Sequence, residues 1–148
     1  MQKERFDEFQ VAKRHRIGNQ AFFLTIALIV INGIVKMNYL WADPLMEMLV
    51  LMYIPVTYMT VMIAWKGAYL SRTDKNSYLY IPMFWFVALF NWSIIGYTLW
   101  DSGMFVLVKD GKLAPSSSIL FTTIYFTLIV IAMIMRRVAD ARMMRAEG

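Results

Sequence analysis

The sequence predicts an all-α integral membrane protein, a four-helix bundle built from two antiparallel hairpins. Its hydrophobic fraction of 59% exceeds the roughly 45–50% of soluble domains. Only 17% of its residues are charged, against about 25% in soluble domains. The charges are clustered and leave long apolar segments between them. The helices are expected in a single domain of residues 1–148, at about 17–41, 44–66, 78–100 and 115–140.

The first two segments have the length of membrane spans. Residues 17–35 form an uncharged stretch of 19 residues. At about 1.5 Å per residue, this stretch nearly crosses a hydrocarbon core of roughly 30 Å. The second segment contains one charge, Glu47. It follows Asp43 and Pro44, which places a capping carboxylate before a proline at the first helical position.

The third segment is uncharged, and the fourth is uncharged from Pro115 to Met135. Three serines after Pro115 are candidate caps for the fourth segment. The loop between these two segments, residues 101–114, contains Asp110-Gly111, which is typical of a two-residue β-hairpin turn. A small hairpin and an irregular loop both remain open for this stretch.

The distribution of Lys and Arg predicts the orientation. Twelve of the 15 basic residues lie in the two tails and in the loop between the second and third segments. The other three are Lys36, Lys109 and Lys112. Because basic residues accumulate on the cytoplasmic side of membrane proteins, both termini are expected in the cytoplasm.

Both tails are expected to carry short amphipathic flanks. Phe6 and Phe9 share a helical face with Lys13 and Arg16, which predicts a helix on the inner membrane surface. In the other tail, Arg136 and Asp140 have i, i+4 spacing, so the fourth helix is expected to continue beyond the membrane. These flanks are either topology anchors or docking surfaces. The candidate contacts to lipid or a protein partner are Arg14, Arg16, Arg136 and Arg137.

Lys36 and Glu47 form the first candidate site. Lys36 lies near the end of the first segment and Glu47 near the start of the second, so an antiparallel hairpin brings them to similar depth. An ion pair would offset part of the cost of placing each charge in a membrane. One interpretation is a structural clasp, or two side chains that reach water separately. The other is a proton or cation site built around Glu47.

Two asparagines are candidates for polar contacts within the membrane. Asn91 lies near the middle of the third segment, and Asn32 lies towards the outer half of the first. Buried amides commonly bridge membrane helices, so both are expected to do so; a polar ligand cavity is the alternative. Thr60, Ala64 and Ala68 form a small-residue stripe that favours close helix packing, either within the bundle or between protomers.

Several functional classes lack the residues that they need. The chain has no cysteine and one histidine, His15, which excludes a disulfide framework, a thiolate metal site and a bis-histidine haem site within one chain. It has no phosphate-binding loop, nucleophile elbow or His-Glu metalloprotease motif. We therefore assign no catalytic, cofactor-binding or metal-binding residue, and we expect no enzyme activity and no direct nucleic-acid binding.

Several short stretches resemble a family of proteins. They are Asp7–Gln10, Lys13–Gln20, Ala42–Pro44 and Gly67–Ser71. In these stretches the first half of the chain resembles a group of uncharacterised small membrane proteins of Gram-positive bacteria, whose genes often lie near small helix-turn-helix regulators. The resemblance implies a bacterial cytoplasmic membrane and a regulatory or accessory role. It implies no functional residues.

Two functional hypotheses follow. The leading one is a non-enzymatic accessory or regulatory membrane protein that acts through contacts with a protein partner or with its own copies. The alternative is a small oligomeric transporter of cations or small molecules that uses Glu47. Four-helix multidrug transporters are similar in size and helix number, but they carry their essential glutamate in the first helix.

Overall fold

The computed structural model describes residues 8–67, 80–102 and 104–146, and these residues form four helices and one small hairpin. The helices are α1 (Glu8–Lys36), α2 (Pro44–Trp65), α3 (Tyr80–Ser102) and α4 (Ser117–Ala146). Each helix is long and apolar enough to cross a membrane, as expected of a multi-pass membrane protein. The described part of the chain is therefore essentially all-helical.

Helix α1 differs most from its predicted range, since it begins at Glu8 and ends at Lys36 rather than covering residues 17–41. The predicted start marked where the chain becomes apolar, but a helix can continue into polar sequence because its backbone hydrogen bonds are internal. The expected separate flank is thus the first part of α1; Phe6 lies outside the described residues. At the other end, Tyr39 still donates its amide to Val35 before the chain turns away.

The other helices lie close to their predicted ranges. Helix α2 begins at Pro44, after Asp43 in extended conformation, although the Asp43 side chain makes no capping hydrogen bond. Helix α3 extends to Ser102, and its predicted start at residue 78 lies outside the described residues. Helix α4 continues to Ala146, well beyond its last long apolar run.

The helices pack in the spatial order α1, α2, α4, α3. Extensive contacts join α1 to α2, α2 to α4, and α4 to α3. Helices α2 and α4 run in the same direction, because Tyr53 contacts Thr122 and, further along both helices, Ala64 packs against Ile129. The central pair α2 and α4 thus carries one outer helix on each side.

Among the described residues, the larger of two buried clusters lies between α2 and α4, and a smaller one joins Ile17 of α1 to Ile63 of α2. The buried residues of the larger cluster are Ala64, Ile129, Ala132 and Met133. The small side chains in this set let the two backbones approach closely, as is common between membrane helices. Thr60, one turn before Ala64, lies 3.4 Å from the Tyr125 hydroxyl across the same interface. The small-residue stripe therefore packs within the molecule at its two described positions; Ala68 lies outside the described residues.

A β-hairpin stands between α3 and α4. Its strands are β1 (Val108–Lys109) and β2 (Lys112–Leu113), paired antiparallel. Asp110 and Gly111 form the turn with φ of 51° and 74°. Positive φ at both central residues matches the right-handed twist of the flanking strands, which is why Asp-Gly favours this turn. Of the two alternatives left open by the sequence, the structure has the hairpin.

Candidate functional site

The candidate site lies where α1 ends and α2 begins, and its centre is an ion pair. Lys36 is the last residue of α1, and Glu47 lies in the first turn of α2. The Lys36 Nζ is 2.7 Å from the Glu47 Oε2, so the two charges are in direct contact. The Glu47 side chain is only 9% exposed, whereas that of Lys36 is 40% exposed. The lysine therefore reaches from the surface over a nearly covered carboxylate.

Asn32 links this ion pair to the connecting segment. Asn32 lies one helical turn before Lys36 in α1. Its side-chain amide donates a hydrogen bond to the other carboxylate oxygen of Glu47. Its carbonyl accepts a hydrogen bond from the indole of Trp41, at 2.8 Å. The Asn32 side chain thus both donates and accepts a hydrogen bond, and each carboxylate oxygen of Glu47 has a partner. Trp41 was not among the polar contacts predicted from the sequence.

The connecting segment is itself held by the hairpin. The Leu113 amide donates to the Trp41 carbonyl at 2.8 Å, and Ala42 forms a parallel bridge with Leu113. The Tyr39 hydroxyl donates to the Gly111 carbonyl. A weaker contact joins the Lys112 ammonium to the Asp43 carboxylate at 3.9 Å. We call this assembly of residues 32–47 and 107–114 the closed end of the molecule.

A small cleft lies beside the polar cluster. It has a volume of about 250 Å³, and Asn32 and Trp41 supply its polar lining. Its other walls are apolar side chains of α1 and α2, including Leu28 and Leu51. Glu47 does not line this cleft, since its carboxylate oxygens face Asn32 and Lys36. The cluster therefore has the partners of a structural junction rather than an acid open to a cavity.

Asn91 does not make the expected bridge between helices. Its amide donates to the Val87 carbonyl in the same helix at 2.8 Å. A carbonyl four residues earlier is within reach of a short polar side chain, so this local bond competes with a bond to a neighbouring helix. The side-chain hydrogen bonds that join α4 to α2 and α3 involve aromatic residues instead, as between Tyr53 and Thr122 and between Trp92 and Thr127. The prediction that both asparagines bridge helices was therefore wrong for Asn91, whereas Asn32 does bridge α1 and α2 through Glu47.

The opposite end of the molecule contains a junction at Gly67. Gly67 follows α2 with a φ of 67°, a conformation that favours glycine at a helix end. The buried Gln10 of α1 donates its side-chain amide to the Gly67 carbonyl at 3.1 Å. From α4, the Arg136 guanidinium packs so closely that a Cβ at position 67 would lie 3.2 Å from its Nε. Three helices thus meet at one glycine, which the sequence did not identify.

The four candidate contact arginines lie on α1 and α4 towards this end of the molecule, and only Arg136 is shown in contact with Gly67. Arg136 holds Asp140 through two contacts, 2.8 Å from Nη2 and 3.2 Å from Nε. Arg14 is half-buried and also engaged. Arg16 and Arg137 are exposed. We call residues 8–19 of α1 and 136–142 of α4 the basic end; it includes the contact of Lys13 over the Phe9 ring at 4.2 Å.

Within the described ranges, no three His, Asp or Glu side chains come together in a way that could hold a metal ion. Glu47 is the one acid in the Lys36–Asn32–Trp41 cluster, and Asp43 points instead towards Lys112. The chemistry of the closed end is therefore that of one neutralised carboxylate with fixed hydrogen-bond partners. Comparison of the chain with protein-family models, curated proteins and solved structures found no match.

Proposed function

We propose that this chain is a multi-pass protein of the bacterial cytoplasmic membrane with both termini in the cytoplasm. It acts as a non-enzymatic accessory or regulatory protein, and its basic end binds a protein partner. The observation that carries this proposal is the difference between the two ends. At the closed end, the one acid in the apolar part of α2 is paired with Lys36 and Asn32 and covered. At the basic end, Arg16 and Arg137 are exposed.

The contacts of Glu47 argue against the alternative, an oligomeric transporter of cations or small molecules. A transport site must exchange its ion or proton, so Glu47 would have to release both Lys36 and Asn32 in each cycle. Acidic relays in membrane transporters usually use several ionisable groups. In the described part of the chain, no second acid joins the cluster. The same features are what an interhelical clasp requires.

The partner surface is tested by reversing one charge at each end. Arg137→Glu changes an exposed cation at the basic end, and Lys109→Glu changes an exposed cation on the hairpin. We expect affinity purification from native membranes in mild detergent to recover a defined partner with the wild type and with Lys109→Glu, and to lose it with Arg137→Glu. Equal recovery with both variants would contradict a partner surface at the basic end.

The transport alternative is tested with Glu47→Gln, which keeps the side-chain shape and removes its charge. We expect vesicles containing the wild type or the variant to show the same background proton and cation flux, because the acid is structural. A substrate-dependent flux of the wild type that Glu47→Gln abolishes would overturn the proposed function and favour the transporter.

A further inference from the structure

The outer surface of α1 and α2 has an apolar groove that ends in a cationic pocket. The groove has a volume of about 700 Å³ and runs between the two helices; its walls include Phe22 and Ile29 of α1 and Met52 and Met59 of α2. The pocket has a volume of about 620 Å³, and its polar walls are His15, Arg16 and Asn19. Gly18 and Phe22 line both cavities, so the groove and the pocket adjoin at these two residues.

Gly18 lies where the groove and the pocket adjoin. A Cβ built at this position would meet nothing within 4 Å, so the glycine leaves empty space where the groove joins the pocket. The Phe22 side chain stands beside it and is 59% exposed. An elongated molecule with one polar end can therefore lie across Gly18 with its apolar part in the groove and its polar part in the pocket.

We infer that this combined site binds one anionic phospholipid, with an acyl chain in the groove and the phosphate at Arg16, His15 and Asn19. Charge decides the headgroup: within the described ranges, no carboxylate pairs with Arg16, and all three polar residues are exposed. The pocket is lined by α1 alone, and basic residues at the cytoplasmic end of a membrane helix attract anionic headgroups.

The α1 wall of the groove has about the length of one leaflet, and the α2 wall, from Leu45 to Met59, is longer at about 21 Å. From Gly18 to Ile29 the groove follows α1 for about 16 Å at 1.5 Å per residue. Half of a hydrocarbon core of roughly 30 Å is about 15 Å. The headgroup then lies at the basic end, which is the cytoplasmic side in the proposed orientation. This inference rests on the proposed membrane placement and not on the proposed protein partner.

The test compares two lipids with identical acyl chains, phosphatidylglycerol and phosphatidylcholine, by native mass spectrometry of the purified chain in mild detergent. We expect the wild type to retain one phosphatidylglycerol with an affinity about fivefold higher than that for phosphatidylcholine, because one nearby cation contributes about 1 kcal/mol. Arg16→Gln should abolish this preference. Arg137→Gln, which removes an exposed cation of α4 outside the pocket, should preserve it.

The groove is tested separately from the charge. Gly18→Leu fills the space where the groove and the pocket adjoin and should weaken the binding of both lipids. Phe22→Ala removes a wall that both cavities share, and it serves as a second variant if Gly18→Leu does not fold.

Three results of the binding measurements would overturn the inference. They are equal affinity for the two lipids, equal losses in Arg16→Gln and Arg137→Gln, and unchanged binding in both groove variants. Displacement of the lipid by inorganic phosphate, or a homodimer that Gly18→Leu dissociates, would also overturn it. Loss of the protein partner in Arg137→Glu leaves these lipid results unaffected, so the two proposals can fail independently.

Discussion

Glu47 is the one charged residue of α2, and each of its carboxylate oxygens has a named partner. Lys36 contacts one oxygen at 2.7 Å and Asn32 donates to the other. A charge removed from water is costly unless it is paired and hydrogen-bonded, and here both conditions are met. Because the partners come from α1, the same contacts that satisfy the carboxylate also fix the depth of α1 relative to α2.

A double-mutant cycle measures how strongly these residues depend on each other. We expect Lys36→Ala and Glu47→Ala each to destabilise the protein in detergent, and the double variant to lose less than the sum of the two, since either change already breaks the pair. The measurement is the free energy of unfolding from a denaturant titration. The control cycle uses Lys112→Ala and Asp43→Ala, whose contact at 3.9 Å is exposed and should couple by less than about 0.5 kcal/mol. Additive effects at Lys36 and Glu47 would mean that the two charges act separately.

At the closed end, the sequence predicted the charged and amide side chains, because such groups need a partner when they lie in an apolar segment. Lys36 and Glu47 could be paired from the sequence because a hairpin places two opposite charges at one depth. Asn32 was predicted to make a polar contact, but its partners depend on where the chain leaves α1. Trp41 was missed because its apolar ring suits a helix end or an interface equally well; its indole N–H, which needs an acceptor when covered, was the signal.

At the scale of elements, the end of α2 depends on the one glycine where α1 and α4 also meet. Lys66 and Gly67 donate their amides to the Met62 and Ala64 carbonyls, which closes the last turn. Gly67 then takes a positive φ, accepts a hydrogen bond from Gln10 and lies against Arg136. A side chain at this position meets both a backbone penalty and a neighbouring guanidinium.

Gly67→Ala should therefore lower the free energy of unfolding by about 1–3 kcal/mol, the usual cost of a strained backbone position. Gly33→Ala is the matched control, because Gly33 lies within α1 and a Cβ there meets nothing within 4 Å. That control should be neutral or stabilising by up to about 1 kcal/mol, since alanine favours helix over glycine. Denaturant titrations of both variants in the same detergent give the comparison. Equal stability of the two variants would show that the junction at Gly67 does not constrain the fold.

The elements differ in how far their limits followed from the sequence. Helix α2 was predicted within one residue of its observed end because Asp43, Pro44 and the apolar run mark both limits. Helix α1 was not, because hydropathy reports the membrane boundary and not the helix boundary. The Asp110-Gly111 turn indicated a hairpin, but two-residue strands give too little alternation to exclude an irregular loop.

At the scale of the whole molecule, the spatial order α1, α2, α4, α3 could not be predicted from the sequence. In a membrane protein, the surfaces that face lipid and those that face other helices are both apolar, so no polar stripe marks the packed side. The small residues of α2 identified one packed face, and Thr60 and Ala64 do lie against α4. The choice of neighbours depends on side-chain shapes along α4, which packs against both α2 and α3.

The sidedness of single cysteines tests whether the chain crosses the membrane four times with both termini in the cytoplasm, and it can be measured cleanly because the chain has no cysteine of its own. The substitutions are Glu8→Cys, Lys75→Cys, Lys109→Cys and Arg142→Cys, each probed with a membrane-impermeant maleimide. We expect Lys109→Cys to react in intact cells and the other three to react only after the membrane is permeabilised, since basic segments stay in the cytoplasm. Labelling of Arg142→Cys or Lys75→Cys in intact cells, or protection of Lys109→Cys, would contradict four membrane crossings with both termini inside.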